Sequence, residues 1–263
     1  MIRNPLLPFL EIKSGAEDTY SVRRHSHERL SVGFVERGSS RISCHHLAFD
    51  LACRDTILIP PRAVHLCQPE EADRFKFQML FLEPEWVRQT FDLDPFKLLP
   101  ATARLSRKDQ TKAAGFFTLV ETGMRSGEPA PFKAEETAVL FIGHLLVSLF
   151  QAASAEKSPT PARGKTDQAM AFLDAHFTED IRLSDLEAAC GQSRFTMVRQ
   201  FRNSLGLTPH TYLVNKRVNL AKERLRQGHS VADTAAFCGF FDQSHFIKTF
   251  RNYTGLTPSR FLK

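Results

Sequence analysis

The sequence predicts an α+β protein of two domains, with an antiparallel β-barrel in the N-terminal half and an all-α domain at the C-terminal end. Three observations predict this arrangement. Short β-rich runs fill the chain to about residue 81, a helical period replaces them between residues 109 and 150, and a helical segment near the C-terminus repeats after 49 residues. A chain of 263 residues is also long enough for two domains.

The β-rich region extends from Tyr20 to about Phe81. Its runs LSVGFVERG, DTILIP and FKFQMLFL alternate with turn residues, at the spacing of an antiparallel sandwich or a small barrel. We therefore assign residues 1–105 to a β-barrel domain.

Helical segments follow at residues 106–153, where apolar side chains recur at helical intervals. These helices could cover the barrel, pair with the same helices of a second subunit, or do both. Because their apolar faces are wider than one small barrel needs, we expect a homodimer through outward positions such as Leu145 and Leu149. The longest apolar run, residues 138–150, is too short to cross a bilayer, which requires about 20 residues. The sequence therefore predicts no membrane association.

A linker is predicted at residues 154–164, because the stretch QAASAEKSPTPARGK loses its hydrophobic period and gathers Ser, Pro and charge. The C-terminal domain then covers residues 165–263. From Lys165 onward there are 14 basic and 9 acidic residues, against 21 and 20 before it. A basic domain beside a nearly neutral one suggests a polyanionic partner, although a solvated basic surface would give the same count.

The C-terminal domain contains one structural unit twice. The motif FRN followed by GLTP occurs at residues 201–209 and again at 250–258. Upstream of each copy, Ser184 and Ser230 are each followed three residues later by an acidic residue, which predicts a capping box at the start of a short helix. Glycines 191 and 239 predict where these helices end. Each unit is therefore a helix, a tight turn and a second helix.

The second helix of each unit is predicted to lie in the major groove of promoter DNA. Apolar residues such as Phe195, Phe201 and Phe250 largely define its buried side, and the side chains between them suit base edges and phosphates. The alternative is a helical repeat with a solvated basic face. The predicted DNA-binding residues are Arg194, Phe195, Arg199, Gln200 and Arg202 in the first unit and Gln243, Ser244, His245, Lys248 and Arg251 in the second.

Two longer runs carry a family resemblance. The stretches SRFTMVRQFRNSLGLTPHTYL and GFFDQSHFIKTFRNYTGLTPSRFL resemble the DNA-binding domain of AraC/XylS-type transcriptional regulators, over residues 166–263. The resemblance implies that a long helix at residues 210–226 holds the two units in a fixed relation. At about 1.5 Å per residue it spans roughly 25 Å, which would place them in successive major grooves about 34 Å apart. RNA polymerase is a further partner that the resemblance implies.

The N-terminal half resembles the cupin-like sensor domain of the same regulators, through the motif HSH at residues 25–27 and the run RDTILIPPRAVH at 54–65. The resemblance implies that His25, His27 and His65 face one pocket. Such a set suits a transition metal, but Glu28 and Glu36 fit poorly the spacing of the glutamate in metal-binding cupins. We predict a small-molecule effector with no metal or other cofactor; a metal site and purely structural histidines remain the alternatives.

Similarity to sugar-binding members of the family adds further residues to the predicted ligand site. These are Arg37, Cys67, Phe77 and Met79. Their chemistry is more apolar than a sugar prefers, and the neighbouring arginines favour an anionic effector unless they are simply solvated.

The function that we predict is a sequence-specific transcriptional regulator without catalytic residues, in which an effector shifts a conformational equilibrium. One alternative is a metal-dependent cupin enzyme fused to a DNA-binding domain. Another is a DNA repair methyltransferase, which would need a cysteine cluster that the sequence does not offer. The five cysteines form no CxxC pair, which favours reduced thiols and a cytoplasmic protein.

Overall fold

The structure is a computed structural model of the chain. The residues that it describes are 2–3, 7–16, 20–44, 47–106, 111–113, 115–117, 136, 139–147, 149 and 164–262. The predicted linker lies outside the described residues except at Gly164, with which the first helix of the C-terminal domain begins.

The described N-terminal residues form two antiparallel sheets. One has the strand order β1-β2-β8-β3-β6-β9 and the other the order β5-β4-β7. The predicted antiparallel β-domain is therefore confirmed, although the two sheets pack against each other and do not close into one barrel. The strands are β1 (Ile2–Arg3), β2 (Leu10–Ala16), β3 (Leu30–Arg37), β4 (Ser39–Cys44), β5 (Leu47–Ala52), β6 (Asp55–Ile59), β7 (His65–Pro69), β8 (Lys76–Leu82) and β9 (Ala101–Arg104).

Strand β3 shows why its sheet is buried on both faces. Alternate side chains point to opposite sides of a strand. Val32 and Phe34 pack into a core that includes the helical residues near 116 and 141, whereas Val35 packs between the two sheets with Ile42 and Ile57. The space between the sheets is where the ligand site forms. A short helix at Ala72–Arg74 lies between β7 and β8, and two more, Pro84–Phe91 (α1) and Pro95–Lys97, lie between β8 and β9.

The described residues between 111 and 149 are helical and cover the large sheet. Leu145 and Leu149 are each 1% exposed and belong to the core with Leu30 and Leu80. The prediction that they face outward is therefore wrong, because the covering helix turns this side to the sheet. The outward apolar residues are Leu140 and Val147 instead, 69% and 55% exposed.

The C-terminal domain consists of helices arranged in two similar units. They are α2 (Gly164–His176), α3 (Leu183–Cys190), α4 (Arg194–Leu205), α5 (Pro209–Arg226), α6 (Val231–Phe237), α7 (Gln243–Thr254) and α8 (Pro258–Leu262). The all-α domain with two helix-turn-helix units is thus confirmed. No helix among the described residues is long and apolar enough to cross a membrane.

The helix ends follow the predicted local chemistry with one exception. Ser230 caps α6 by accepting a hydrogen bond from the backbone N–H of Asp233 at 3.1 Å. Gly191 adopts a left-handed φ of 60° after α3, a conformation that costs glycine little. Ser184, however, does not cap α3. That helix begins earlier, and the carboxylate of Asp185 accepts from the backbone N–H of Arg182 at 2.8 Å.

Candidate DNA-binding face and effector cavity

The exposed face of α4 carries the predicted DNA contacts of the first unit. Phe195, Arg199 and Arg202 are exposed and lie four and three residues apart, so they share one face of the helix. The guanidinium of Arg199 lies 5.8 Å from the ring centre of Phe195. Arg194 forms an ion pair with Glu187 at 2.8 Å, and Gln200 is half-buried. Four of the five predicted residues are therefore exposed.

One prediction for α4 needs correction. Phe195 was expected on the buried side, but it is 75% exposed. Met197 and Phe201 fill the core of this unit instead, and they are 1% and 0% exposed. An aromatic ring on the outer face of this helix is suited to apolar contact with a thymine methyl group.

The exposed face of α7 repeats the same geometry. Ser244, Lys248 and Arg251 are exposed at positions equivalent to Phe195, Arg199 and Arg202, and Gln243 and His245 are exposed beside them. The N-cap Asp242 accepts from the backbone N–H of His245 at 2.7 Å and fixes the start of this helix. Phe246 and Phe250 point the other way into the core, with no exposed surface. Both units thus present matching faces.

A cavity of about 100 Å³ lies between the two sheets and the C-terminal domain. Its walls in the β-domain are mostly apolar and include Val35, Ile57, Phe75 and Phe81. Helices α5, α7 and α8 close its other side through Asn219, Lys222, Arg226, Tyr253, Thr254 and Phe261. The cavity is therefore completed by both domains.

Most of the predicted ligand-binding residues meet at this cavity. His25, His27, His65, Cys67, Phe77 and Met79 all line it. Arg37 does not: it is exposed at the end of β3, where the pairing with β8 shifts register after Val35. A register shift turns the next side chains away from their expected face, which explains the misplacement.

Two lysines at the cavity were not predicted, of which Lys13 is buried and Lys222 half-buried. Lys13 Nζ donates to the carbonyl oxygen of Thr254, the last residue of α7, at 2.8 Å, and Lys222 Nζ donates to Asn219 Oδ1 at 2.9 Å. Neither ammonium group forms an ion pair with a carboxylate among the described residues. Burial and their mutual repulsion lower the pKa of Lys13 to about 7, and burial and Arg226 lower the pKa of Lys222 to about 8. Glu11, Glu223 and Glu28 attract Lys222 only from beyond ion-pair distance, so both ammonium groups remain available to an anion.

Glu11 gathers three arginines from separate parts of the chain. Its carboxylate lies 2.6 Å from Arg3 Nε, 3.7 Å from Arg29 Nη1 and 2.7 Å from Arg226 Nη2. Burial alone raises the pKa of Glu11, but the attraction of Arg226, Arg29 and Arg3 outweighs it and lowers the pKa. Because Arg226 ends α5, this cluster joins the β-domain to the C-terminal domain.

Further hydrogen bonds join the segment before β3 to the C-terminal helices. Ser26 accepts from Asn215 Nδ2 at 2.8 Å through its hydroxyl oxygen, and Ser21 donates to the carbonyl oxygen of Asn252 in α7 at 3.0 Å. The backbone N–H of Val22 donates to the same carbonyl at 3.2 Å. The loop that leads to the histidines therefore contacts the second recognition helix directly.

Comparison with known families identifies both halves of the chain. A model of the AraC-like ligand binding domain matches residues 10–141, and a helix-turn-helix domain model matches residues 186–263. The two models agree with the β-domain and with the repeated helical unit.

Relatives of this chain include proteins named as bacterial transcriptional regulators. The uncharacterized HTH-type transcriptional regulator YbfI of Bacillus subtilis is 26% identical over 84% of this chain and 80% of its own length. The HTH-type transcriptional activator RhaS of Klebsiella pneumoniae is 36% identical over 46% of this chain and 43% of its own. The chain thus spans about half the length of the RhaS proteins that it matches.

Among solved structures, ToxT of Vibrio cholerae has the same fold. It superposes with a TM-score of 0.60 at 11% identity, over 97% of each chain. The structure described as unsaturated fatty acid bound wild-type ToxT superposes with the same TM-score of 0.60, over 96% of this chain and 94% of that one.

Proposed function

We infer that this chain, which belongs to the AraC-type transcriptional regulators, couples its binding to promoter DNA to a small anionic effector held between its two domains. Its family membership establishes a DNA-binding regulator with a ligand-binding domain. The named relatives are regulators and activators, which favours this function over the metal-dependent enzyme. The observation that carries the effector proposal is that two lysines, Lys13 and Lys222, line one mostly apolar cavity.

The cavity favours a carboxylate attached to an apolar group. Lys13 and Lys222 supply two cationic donors, and the β-domain supplies aliphatic and aromatic walls. The cavity has a volume of about 100 Å³, so the apolar group must be short. ToxT, which shares the fold, has been solved with an unsaturated fatty acid. We therefore propose a short aliphatic or aromatic carboxylic acid.

The same contacts suggest how the effector acts on DNA binding. Lys13 donates to the last carbonyl of α7, the helix that presents Lys248 and Arg251. A carboxylate competes with that carbonyl for the ammonium group, because charge-assisted hydrogen bonds are the stronger ones. Effector binding then weakens the hold of the β-domain on α7 and changes the population of states that fit DNA.

We propose that Arg199 reads a base and that Arg202 holds a phosphate. Both guanidinium groups are exposed, and neither forms an ion pair within the described part of the chain. A bidentate arginine–guanine contact is worth about 1–3 kcal/mol of discrimination. Arg199→Ala should therefore relax the base preference at one or two base pairs. Arg202→Ala should weaken binding to all DNA sequences alike and reduce by roughly one the slope of the logarithm of the binding constant against the logarithm of the salt concentration. Binding-site selection and salt titration measure these effects.

The control for this experiment is Arg88→Ala, which removes an exposed arginine of α1 in the β-domain. It should leave both base preference and salt slope unchanged. Identical base preferences for Arg199→Ala and the unmodified chain would refute the base-reading role.

We also propose that the chain forms a homodimer through the helix that covers the large sheet, which is described at residues 139–147 and 149. Leu140, His144 and Val147 are exposed and lie four and three residues apart, so they form one outward stripe. Leu140→Glu combined with Val147→Glu should convert dimers to monomers, because two carboxylates would be buried without partners. Light scattering gives the mass, and Leu99→Glu, at an exposed leucine of the β-domain, is the control. An unmodified chain that is monomeric at micromolar concentration contradicts the proposal.

Two further parts of the proposal follow from the family. RNA polymerase is the partner that converts promoter occupancy into a change of transcription. A regulator of this bacterial family acts where the chromosome lies, so we place it in the cytoplasm.

A further inference from the structure

Three histidine side chains converge at one end of the cavity. His25 and His65 lie opposite each other and exchange both backbone hydrogen bonds, at 3.0 and 2.9 Å. His27 is two residues further along the first segment and faces the same side, with its ring centre 4.7 Å from His25 and 4.8 Å from His65. One ring nitrogen from each residue lies within 4.8 Å of the other two. The backbone pairing thus fixes the backbone positions of His25 and His65, and His27 lies two residues after His25.

Hydrogen bonds to the backbone set the tautomer of two of these rings. His25 Nδ1 lies 2.8 Å from the carbonyl oxygen of Arg23, and His65 Nδ1 lies 3.0 Å from that of Ala63. A carbonyl oxygen only accepts, so Nδ1 carries the hydrogen in both residues and Nε2 of the neutral ring keeps its lone pair. Metal-binding histidines commonly donate their other N–H to a backbone carbonyl in this way.

We propose that His25, His27 and His65 bind one divalent transition metal ion, of the zinc or cobalt class, with a further coordination position open to the cavity. Ligand distances of about 2.0–2.1 Å require the nitrogens to stand roughly 3.3 Å apart. They must therefore approach by up to about 1.5 Å relative to the 4.8 Å spread. The site shares the cavity of the proposed effector but uses other side chains as ligands, and the metal titration below needs no effector, so either proposal can fail without the other.

The surrounding groups define the donor set. Glu28, the acid nearest in sequence, is engaged by Arg62 at 2.9 Å and Lys216 at 3.8 Å, which leaves the three imidazoles as the ligands. Lys13 and Lys222 line the same cavity and oppose a cation, so an anion or hydroxide is expected at the open position. Cys67 also lines the cavity, with its sulfur 3.1 Å from the hydroxyl of Ser40, and is the competing ligand to be tested.

The test uses the full chain, stripped with a chelator and then titrated with cobalt chloride. We expect one cobalt ion per chain, with absorption bands of a four- or five-coordinate nitrogen site. Replacing a ligand should weaken binding by about 100-fold or more, since even groups that only support a ligand change affinity by 10- to 100-fold. His27→Asn and His65→Gln should show this loss, and His229→Asn, at an exposed histidine, should not.

A second readout avoids substitutions altogether. Zinc added to the unmodified chain should shift the nuclear magnetic resonance ring signals of three of its ten histidines. Failure to take up one equivalent of cobalt overturns the proposal, and so does full uptake by folded His27→Asn and His65→Gln variants. A sulfur-to-cobalt charge-transfer band that disappears in Cys67→Ser overturns the three-histidine assignment.

Discussion

Replacing Lys13 or Lys222 by methionine should weaken the binding of hexanoate and benzoate by about 10- to 100-fold. The reason is that each ammonium group offers a charge-assisted hydrogen bond, worth about 1.5–3 kcal/mol, inside a cavity with apolar walls. Binding of the neutral analogues hexanol and benzyl alcohol should change little. Isothermal titration calorimetry with the full chain measures both affinities.

Lys216→Met is the matched control, because Lys216 lies on α5 with Lys222 but pairs with Asp174 at 3.3 Å outside the cavity. Its carboxylate affinity should equal that of the unmodified chain. Equal weakening of hexanoate and hexanol by Lys13→Met would mean that the lysine shapes the cavity and does not recognise charge.

The pH dependence of carboxylate binding follows from the same lysines. Their pKa values in the free protein are about 7 for Lys13 and about 8 for Lys222, and a bound anion favours the protonated amines. Binding therefore takes up protons, and the affinity for the carboxylate should fall as the pH rises from 6 to 9. A carboxylate affinity that increases from pH 6 to 9 would contradict the role of the two lysines in binding.

The effect of these lysines on folding stability has the opposite sign. Above about pH 7 the unfolded chain binds more protons than the folded chain, so the free energy of unfolding should rise with pH up to the pKa of the lysines in the unfolded chain, near 10.4.

Removing the carboxylate of Glu11 should destabilise the protein far more than removing a surface carboxylate. Glu11 is 3% exposed and faces Arg3, Arg29 and Arg226. Breaking a buried ion pair by removing one partner costs about 3–5 kcal/mol. Glu11→Ala should lower the free energy of unfolding by about this amount in denaturant titration. Since the cluster joins the two domains, the variant should also bind DNA with less dependence on the effector.

Glu83→Ala provides the matched control, because Glu83 pairs with the same Arg29 at 3.0 Å but is solvent-accessible. Glu83→Ala should lower the free energy of unfolding by only about 0–1 kcal/mol, as for other surface ion pairs. Similar losses for the two variants would show that the cluster does not hold the domains together.

Local sequence signals were sufficient for the DNA-binding domain. Helix starts and ends depend on side chains within three or four residues, so Ser230 and Gly191 were identified correctly. The repeated motif placed Arg199 and Lys248 at equivalent exposed positions. The histidine motifs were expected to face one pocket because the resemblance supplied the topology, and in the structure one ring nitrogen of each lies within 4.8 Å of the other two.

Local sequence signals did not decide which side of a helix is buried. A helical period reveals that residues 139–149 have an apolar side, but Leu140 and Leu145 are both leucines, and only packing against the sheet decides which is buried. For the same reason Phe195 looked like a core residue. The neighbouring helices leave its side of α4 uncovered.

The sequence by itself determined that this protein has a β-domain followed by two helix-turn-helix units with basic faces. The reason is that the hydrophobic period, the capping residues and the repeated motif each depend on residues close together in the sequence. Only the tertiary structure decided what lies at the cavity between them. Lys13 meets Thr254 across 241 residues of sequence, and Glu11 meets Arg226 across 215. Such contacts arise when whole elements dock, and the docking is selected by the combined burial of many side chains. No local pattern marks two lysines, in a strand and a helix, as neighbours that share one buried site.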